Sequence, residues 1–316
     1  MVVAVFKAAN VPVTWEVKQA GFCAVGAYNS PLPAETIESI RSNGVALKGP
    51  CTTPVGEGFR SINIELRLKL DLYANIREAK SIAGIKARYS DIDLVVIREN
   101  TEGLYCGKEI WLNNEKTAAE SACIVTTKAS ERIIRYAFEY AVAEKRKKIT
   151  LVHKANILKF TGGLFLATGK RIAKEYEGKI AFEDIIIDNM CMQLVLNPHK
   201  FDVIVATNLF GDILSDLTAG LIGGLGLAPA VNIGEKGALF EAVHGSAPDI
   251  AGKNKANPTA ILLTAVALLK YIGLPKEAQK IHRALLAVYQ KTKIRTADLG
   301  GKASTTAFQD AIIQRL

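Results

Sequence analysis

Two aspartates four residues apart, Asp212 and Asp216, are the side chains in this sequence best placed to do chemistry. They follow a short β-branched stretch, residues 201–207, that Asn208 and Gly211 interrupt. From Asp212 onward the apolar residues recur at helical spacing, which places both carboxylates on one helical face. Such a pair after the carboxyl end of a strand suits a hard divalent cation. Two solvated aspartates at a helix start are the alternative interpretation.

The surrounding sequence predicts an α/β fold, because strand-like and helix-like segments alternate. Strands are predicted at residues 92–97, 149–153, 185–187 and 203–207, and helices at 130–145, 163–175 and 258–272. The last helix has Asn257 as a predicted cap, Pro258 in its first turn and Gly273 just beyond its end. Weaker alternation between Tyr105 and Thr127 predicts a β-hairpin arm that leaves the main body.

Composition places the chain among ordinary globular proteins. Its 316 residues, 49% hydrophobic and 22% charged, predict about two domains. We expect no membrane segment, and the five scattered cysteines favour a reducing compartment. The net charge of +9 is spread along the chain, which favours a small anionic substrate over nucleic acid. There is no G-x-G-x-x-G or P-loop motif, so neither common nucleotide-binding fingerprint is present.

Three arginines predict a site for a polycarboxylate. Arg67, Arg77 and Arg98 each flank an apolar segment, and Arg98 ends a predicted strand. Converging guanidinium groups bind carboxylates through paired hydrogen bonds, although each arginine alone also fits a solvated surface. Tyr105 and Lys154 are candidate proton-transfer groups, and we expect burial near other cations to lower the pKa of Lys154. A packed tyrosine and an ordinary strand-end lysine are the alternatives.

Six motifs in this sequence resemble those of the isocitrate/isopropylmalate family, the β-decarboxylating dehydrogenases. The resemblance runs from about residue 5 to the end, in the family's order and spacing. The motifs are Ser61-x-Asn63-x-x-x-Arg67, the stretch from Leu70 to Arg77, Arg98-Glu99-Asn100-Thr101-Glu102-Gly103-Leu104-Tyr105, His153-Lys154-Ala155-Asn156, the stretch from Asn208 to Asp216, and that from His244 to Lys253.

The resemblance implies a fold of two α/β domains that is not a Rossmann fold. The large cofactor domain is discontinuous, with residues 1–72 and 223–316. The small domain, residues 73–222, carries substrate, metal and dimer contacts and a β-hairpin clasp arm at 103–126. The family opens with a strand and a glycine-rich turn that this sequence lacks, so we expect the first element to be a helix at residues 2–9. The activity of the chain alone is left open by this difference.

The resemblance also assigns roles to individual residues. Tyr105 and Lys154 match an acid/base pair, and in the family Lys154 and Asp188 serve the site of the neighbouring subunit. Residues matching substrate contacts are Ser61, Asn63, Arg67, Arg77 and Arg98, and those matching ligands of Mg²⁺ or Mn²⁺ are Asp188, Asp212 and Asp216. Residues matching the NAD site are Lys48, Thr52, Thr53, Leu225, His244, Gly245, Ser246, Ala247, Asp249, Ile250 and Asn257.

The implied activity is NAD-dependent oxidative decarboxylation of isocitrate to 2-oxoglutarate, the tricarboxylic acid cycle reaction. Asp249 would repel the 2′-phosphate of NADP. Isopropylmalate, homoisocitrate and tartrate are alternative substrates, and a non-catalytic subunit is the alternative function. Partners are a second copy or related subunits, with no nucleic acid or membrane, in the mitochondrial matrix or bacterial cytoplasm. Glu78 stands where the family usually has proline, so we expect an added negative charge near Arg77.

Overall fold

An eight-stranded mixed β-sheet organises the chain in the computed structural model, which describes residues 1–52, 59 and 61–316. Within these residues the helices are α1 (Val2–Ala8), α2 (Phe22–Tyr28), α3 (Ala34–Asn43), α4 (Ile62–Lys69), α5 (Thr127–Ala143), α6 (Thr161–Ala173), α7 (Ile187–Leu196), α8 (Asn208–Ile222), α9 (Thr259–Tyr271), α10 (Pro275–Lys291) and α11 (Thr305–Ile313). The strands are β1 (Val45–Lys48), β2 (Ala74–Lys80), β3 (Asp93–Glu99), β4 (Glu109–Trp111), β5 (Ala119–Ser121), β6 (Lys148–His153), β7 (Ala181–Ile186), β8 (Val203–Ala206), β9 (Pro229–Gly234) and β10 (Gly237–Ala242).

The strand order is β1-β10-β9-β2-β3-β8-β6-β7. From β3 to β7 all neighbours are parallel, so the carboxyl ends of these four strands lie along one edge, where open α/β sheets bind their ligands. Antiparallel pairings join β3, β2, β9 and β10, and β1 pairs with β10 in parallel. The predicted α/β class is confirmed.

The central strands divide their apolar residues between two cores. Leu94 and Val96 of β3 face the core that α9, α10 and α11 complete, while Val95 and Ile97 face α5 and α6. The middle of β3 is therefore a continuous apolar sequence, as expected of a strand that is covered by helices on both faces.

The sheet runs through both predicted domains. Strands β2, β3, β6, β7 and β8 come from residues 73–222, while β1, β9 and β10 come from the flanking segments. The pairing of β2 with β9 crosses the proposed boundary. The assignment of residues to two domains stays a prediction.

Two predicted elements differ from the observed ones. Ile187 starts α7 instead of extending the preceding strand. Helix α8 begins at Asn208, four residues before Asp212, because the amide of Gly211 already donates to the carbonyl of Thr207 at 2.8 Å. The residues that interrupt the strand therefore form the first helical turn, and Asp212 lies in the second turn.

Other predicted local features are observed. The chain opens with α1. Helix α9 begins one residue later than predicted, so Pro258 is the cap residue in place of Asn257, although Asn257 Oδ1 accepts a hydrogen bond from the amide of Thr259 at 3.0 Å. Strands β4 and β5 form the predicted hairpin, a separate two-stranded sheet. In the described part of the chain, no helix is both long and apolar enough to cross a lipid bilayer.

Candidate active site

Asp212 lies at the centre of a cluster of cationic and phenolic side chains. Its Oδ1 accepts a hydrogen bond from Arg98 Nη1 and lies 3.2 Å from Arg77 Nη2. Its Oδ2 accepts a hydrogen bond from the Tyr105 hydroxyl at 2.5 Å. Arg77 Nη1 also lies 3.4 Å from Asp216 Oδ1. The two aspartates thus share a helical face, as their spacing predicted, and they also share Arg77 as a partner.

The two carboxylates of this pair have different electrostatic surroundings. Burial would raise the pKa of Asp212, but the charges of Arg98 and Arg77 and the Tyr105 hydrogen bond outweigh it and lower the pKa. Burial raises the pKa of the more exposed Asp216, and Arg77 offsets this only in part. Asp212 is therefore the carboxylate that stays ionised over the wider pH range.

Tyr105 is held in a short 3₁₀ turn, Leu104–Cys106, that follows β3. The guanidinium carbon of Arg98 lies 4.9 Å from the centre of its ring. Burial raises the pKa of Tyr105, and the hydrogen bond and charge of Asp212 raise it further. The phenol is therefore a protonated donor at neutral pH, which is the state that an acid requires.

Arg98 is 1% exposed, and α8 presses directly against it. Asn208 Oδ1 accepts hydrogen bonds from its Nε and Nη2, at 3.1 and 2.7 Å. A β-carbon on Gly211 would lie 2.6 Å from Arg98 Cγ, closer than side chains approach one another. Glycine at position 211 is what allows the aspartates on α8 to reach the arginine at the end of β3.

Glu241 organises a second charged cluster that the sequence reasoning missed. Its carboxylate contacts Arg67 Nη2 at 3.2 Å and Lys48 Nζ at 3.0 Å. Burial would raise the pKa of Glu241, but the charges of Lys48 and Arg67 lower it strongly. The available signal was a lone carboxylate in the otherwise apolar strand β10.

Two asparagines connect the clusters through continuous hydrogen bonds. Arg77 Nε donates to Asn75 Oδ1 at 2.7 Å, and Asn75 Nδ2 donates to Asn232 Oδ1 at 2.8 Å. Asn232 Nδ2 then donates to Glu241 Oε1 at 3.0 Å. The sequence reasoning missed both asparagines and also Ser215, whose Oγ accepts from Arg77 Nη1 at 2.6 Å.

The other predicted substrate residues lie at the start of α4. Ser61 precedes the helix, and Asn63 lies one turn before Arg67. Asn63 Oδ1 and Arg67 Nε are buried, and in the described ranges neither has a hydrogen-bond partner. Buried polar atoms are normally paired, so these two are suited to a polar ligand.

Lys154 and Asp188 form a separate ion pair, with Nζ and Oδ1 2.5 Å apart. Lys154 thus faces a carboxylate instead of the expected group of cations, and its hydrogen bond lowers the pKa of Asp188. Among residues 1–52, 59 and 61–316, no three His, Cys, Asp or Glu side chains form a group that could hold a metal ion. One chain therefore brings together two of the three predicted metal ligands.

Two segments predicted to bind the cofactor meet through Thr52 and Ser246, whose hydroxyls lie 2.7 Å apart. Asn257 Nδ2 donates a hydrogen bond to Asp298 Oδ2 at 2.9 Å. Gly226, the residue after Leu225, packs against both of these side chains. Lys48 faces Glu241, and Thr53 lies outside the described residues. The remaining predicted residues lie between β10 and α9, with Asp249 exposed: His244, Gly245, Ala247, Asp249 and Ile250.

Glu78 does not add charge beside the Arg77 guanidinium. It follows Arg77 on β2, so its side chain lies on the opposite face of the sheet. Burial raises the pKa of Tyr140 on α5, and the charge of Glu78 raises it further. The expected negative charge at the arginine cluster is therefore wrong.

Comparison with known proteins agrees with this geometry. Residues 1–312 match the isocitrate/isopropylmalate dehydrogenase family. Mitochondrial isocitrate dehydrogenase [NAD] catalytic subunit 6 of Arabidopsis thaliana is 51% identical over 99% of this chain and 83% of its own length. A mitochondrial regulatory subunit of the Dictyostelium discoideum enzyme is also 51% identical, over 99% of this chain and 85% of its own length.

A solved structure gives the same result. Isocitrate dehydrogenase from Methylococcus capsulatus superposes with a TM-score of 0.97 at 53% identity, covering 99% of this chain and 94% of that one. The sequence motifs, the sheet and these matches agree with one another. The chain belongs to the isocitrate/isopropylmalate dehydrogenase family.

Proposed function

We propose that this chain catalyses the NAD-dependent oxidative decarboxylation of isocitrate to 2-oxoglutarate and CO₂. The observation that carries the proposal is the convergence of buried Arg77 and Arg98 on Asp212 and Tyr105. Guanidinium groups recognise carboxylates, the aspartate offers oxygen to a hard cation, and the phenol holds a proton for transfer. These are the functions that a β-decarboxylating dehydrogenase requires.

Charge favours a tricarboxylate over the dicarboxylate isopropylmalate. Four cationic groups, three of them buried, face the three carboxylates of Asp212, Asp216 and Glu241. A divalent cation would leave the site with about three positive charges, which the trianion of isocitrate neutralises. The buried cations are Arg67, Arg77 and Arg98, and the fourth cation is Lys48, whose side chain is 10% exposed.

Asp212 and Asp216 fit Mg²⁺ or Mn²⁺, because hard divalent cations take carboxylate oxygens. Both project from one face of α8, and Asp216 is the more exposed of the two. Among the described residues of one chain, Asp188 is paired with Lys154 and does not group with Asp212 and Asp216. We therefore assign Asp188 of a second copy as the third ligand. A cation held by these residues would supply Lewis-acid chemistry, lowering the cost of negative charge on the substrate oxygens.

The protein's own groups handle the substrate carboxylates and the protons. Arg67, Arg77 and Arg98 hold the substrate so that its C2 hydrogen faces the nicotinamide. Lys154 from the second copy accepts the proton of the C2 hydroxyl, and Tyr105 donates a proton to C3 after CO₂ leaves. Asp212 keeps the Tyr105 hydroxyl oriented through the 2.5 Å hydrogen bond.

The segment around Lys48 and the loop that contains His244 and Asp249 are the residues that would hold NAD. The hydrogen bond between Thr52 and Ser246 already joins these two segments. The exposed Asp249 is free to accept hydrogen bonds from ribose hydroxyls and would repel the 2′-phosphate of NADP.

The site is shared between two copies of this chain or between this chain and a related subunit. The two relatives above are named as subunits of a mitochondrial enzyme. We place the protein in the mitochondrial matrix or the bacterial cytoplasm. A non-catalytic subunit is the rival function, and the retained Arg77, Tyr105, Asp212 and Asp216 side chains favour catalysis.

A substrate panel tests this proposal. The purified chain is given Mn²⁺ and NAD⁺ with isocitrate, isopropylmalate, homoisocitrate or tartrate, and NADH absorbance is followed, with NADP⁺ as the cofactor control. We expect turnover with isocitrate and NAD⁺, lost in Asp212→Asn and kept in Asp310→Asn, an exposed aspartate on α11. Folded protein that turns over none of these substrates would point to the non-catalytic subunit, and turnover confined to another acid would replace the assigned substrate.

A further inference from the structure

Cys23 and Cys51 approach one another although they are far apart in the sequence. Their sulfurs lie 3.3 and 3.9 Å from the same acceptor, the carbonyl oxygen of Ala20. Both therefore lie within a few ångströms of a single atom. Both thiols are free, and Cys23 is exposed while Cys51 is half-buried.

The local backbone is shaped to admit the second sulfur. Gly21 has a φ of 90°, and a β-carbon there would lie 3.4 Å from Cys51 Sγ. The half-buried sulfur thus packs on a residue without a side chain, two positions from Cys23. A disulfide requires the sulfurs to close to about 2.05 Å, which side-chain rotation and small shifts of a loop and a helix start can supply.

We infer that Cys23 and Cys51 form a reversible disulfide site. In the peroxide reaction, the Cys23 thiol loses its proton, its sulfur attacks an oxygen of hydrogen peroxide, and the O–O bond breaks to give a sulfenic acid. The departing hydroxide takes up the proton that the thiol released and leaves as one water. Cys51 sulfur then attacks the sulfenic sulfur, the S–O bond breaks, and a second water leaves as the S–S bond forms. Two thiols are oxidised, and one peroxide is reduced to two waters.

The environment divides the roles between the two cysteines. Cys23 is exposed to oxidant in solution, whereas burial raises the pKa of the Cys51 thiol, and nearby Lys48 offsets this only in part. Lys48 Nζ lies 4.0 Å from Cys51 Sγ. The exposed sulfur is thus the one that oxidant reaches first, and Cys51 resolves it.

The disulfide has a consequence for the cofactor segment, and this step rests on the function proposed above. Cys51 directly precedes Thr52, which is hydrogen-bonded to Ser246. It lies three residues after Lys48, which is paired with Glu241. Drawing Cys51 toward Cys23 pulls on both contacts. Oxidation is therefore expected to weaken NAD⁺ binding about tenfold, the scale of losing one good hydrogen bond, and a thiol reductant restores it.

Mass spectrometry tests the pairing without any assay of activity. The full chain is treated with hydrogen peroxide, alkylated, and digested with trypsin, which separates the two cysteines into peptides 19–41 and 49–60. We expect these peptides to be joined, to separate on reduction, and to remain unjoined in Cys23→Ser and Cys51→Ser. The matched control Cys191→Ser keeps the linked pair. Linkage of either cysteine elsewhere, or over-oxidation of Cys23 with Cys51 alkylated, would overturn the inference.

Calorimetric titration with NAD⁺ then separates this inference from the proposed function. A reduced protein that binds NAD⁺ and an oxidised, linked protein that binds it more weakly support both. A linked protein whose reduced form binds no NAD⁺ leaves the disulfide standing and refutes the proposed function. Equal NAD⁺ affinity in the two forms would overturn the effect assigned to the disulfide.

Discussion

The hydroxyl of Tyr105 lies 2.5 Å from Asp212 Oδ2, so the proposed proton donor is hydrogen-bonded to a proposed metal ligand. The two residues lie 107 positions apart, one in the turn after β3 and the other in the second turn of α8. This contact couples the position of the proposed acid to the carboxylate that is proposed to hold the cation. Replacing either residue is therefore expected to affect chemistry more than stability.

Tyr105→Phe removes the transferable proton and leaves the ring beneath Arg98. We expect the rate of 2-oxoglutarate formation to fall at least about 100-fold, the usual effect of losing a general acid. The dissociation constant for isocitrate should change little, because the arginines remain. Steady-state kinetics together with calorimetric binding measure the two effects, and a variant with a near-normal rate would remove Tyr105 from the proton-transfer role.

Gly211→Ala tests the close approach of α8 to Arg98. The added carbon would lie 2.6 Å from Arg98 Cγ, so we expect a loss of about 1–3 kcal/mol in the free energy of unfolding and a higher KM for isocitrate. Gly220→Ala is the matched control on the same helix, since a β-carbon there meets nothing within 4 Å. That control should be neutral or stabilising by up to about 1 kcal/mol. Equal effects of the two changes would contradict the packing argument.

Glu241 is predicted to make the protein sensitive to acid. Its folded-state pKa is lowered by Lys48 and Arg67, so its stabilisation is complete above its unfolded pKa of about 4.5 and is lost as pH falls toward the folded value. Glu241→Gln should lower the free energy of unfolding at neutral pH by about 3 kcal/mol, since it leaves buried cations without their partner. Urea unfolding between pH 7 and pH 3 should show a smaller pH-dependent loss in the variant. A loss equal to that of the unsubstituted protein would contradict the assignment.

The proposed sharing of the site between subunits predicts complementation. Lys154→Met and Asp212→Asn damage different contributions, so a mixed dimer retains one complete site. In a statistical mixture of co-expressed chains, about half of the dimers are mixed and each has one intact site, so roughly a quarter of normal activity should return. Two affinity tags, one on each variant, identify the mixed dimer. The control pair, Asp212→Asn with Asp216→Asn, damages the same contribution in each subunit and should restore none. An inactive Lys154→Met and Asp212→Asn dimer would show that each chain builds its own site.

The sequence predicts the parts of the site that local spacing determines. Asp212 and Asp216 follow a strand at one-turn spacing, and Arg98 ends a strand, so their approach follows from general rules of α/β sheets. Glu241 and Asn232 could not be placed in this way. The contact of Glu241 with Arg67 and the hydrogen bond between Asn232 and Glu241 depend on the register of β9 and β10. Local spacing does not show which distant residue lies opposite.

The start of α8 shows the same limit. Asn208 and Gly211 are poor helix formers, so local propensity predicts that the helix begins after them. In the folded protein Asn208 instead binds Arg98, and Gly211 allows the helix to approach it. Tertiary contacts thus decide where the helix begins, and these contacts are absent from local sequence patterns.

The most direct test of the central claim is the stoichiometry of the reaction. Isocitrate, NAD⁺ and Mn²⁺ are incubated with the purified protein, and NADH, CO₂ and 2-oxoglutarate are quantified in the same sample. We expect equal amounts of all three products, and none of them from Asp212→Asn. NADH without CO₂, or folded protein that binds isocitrate and forms no product, would contradict it.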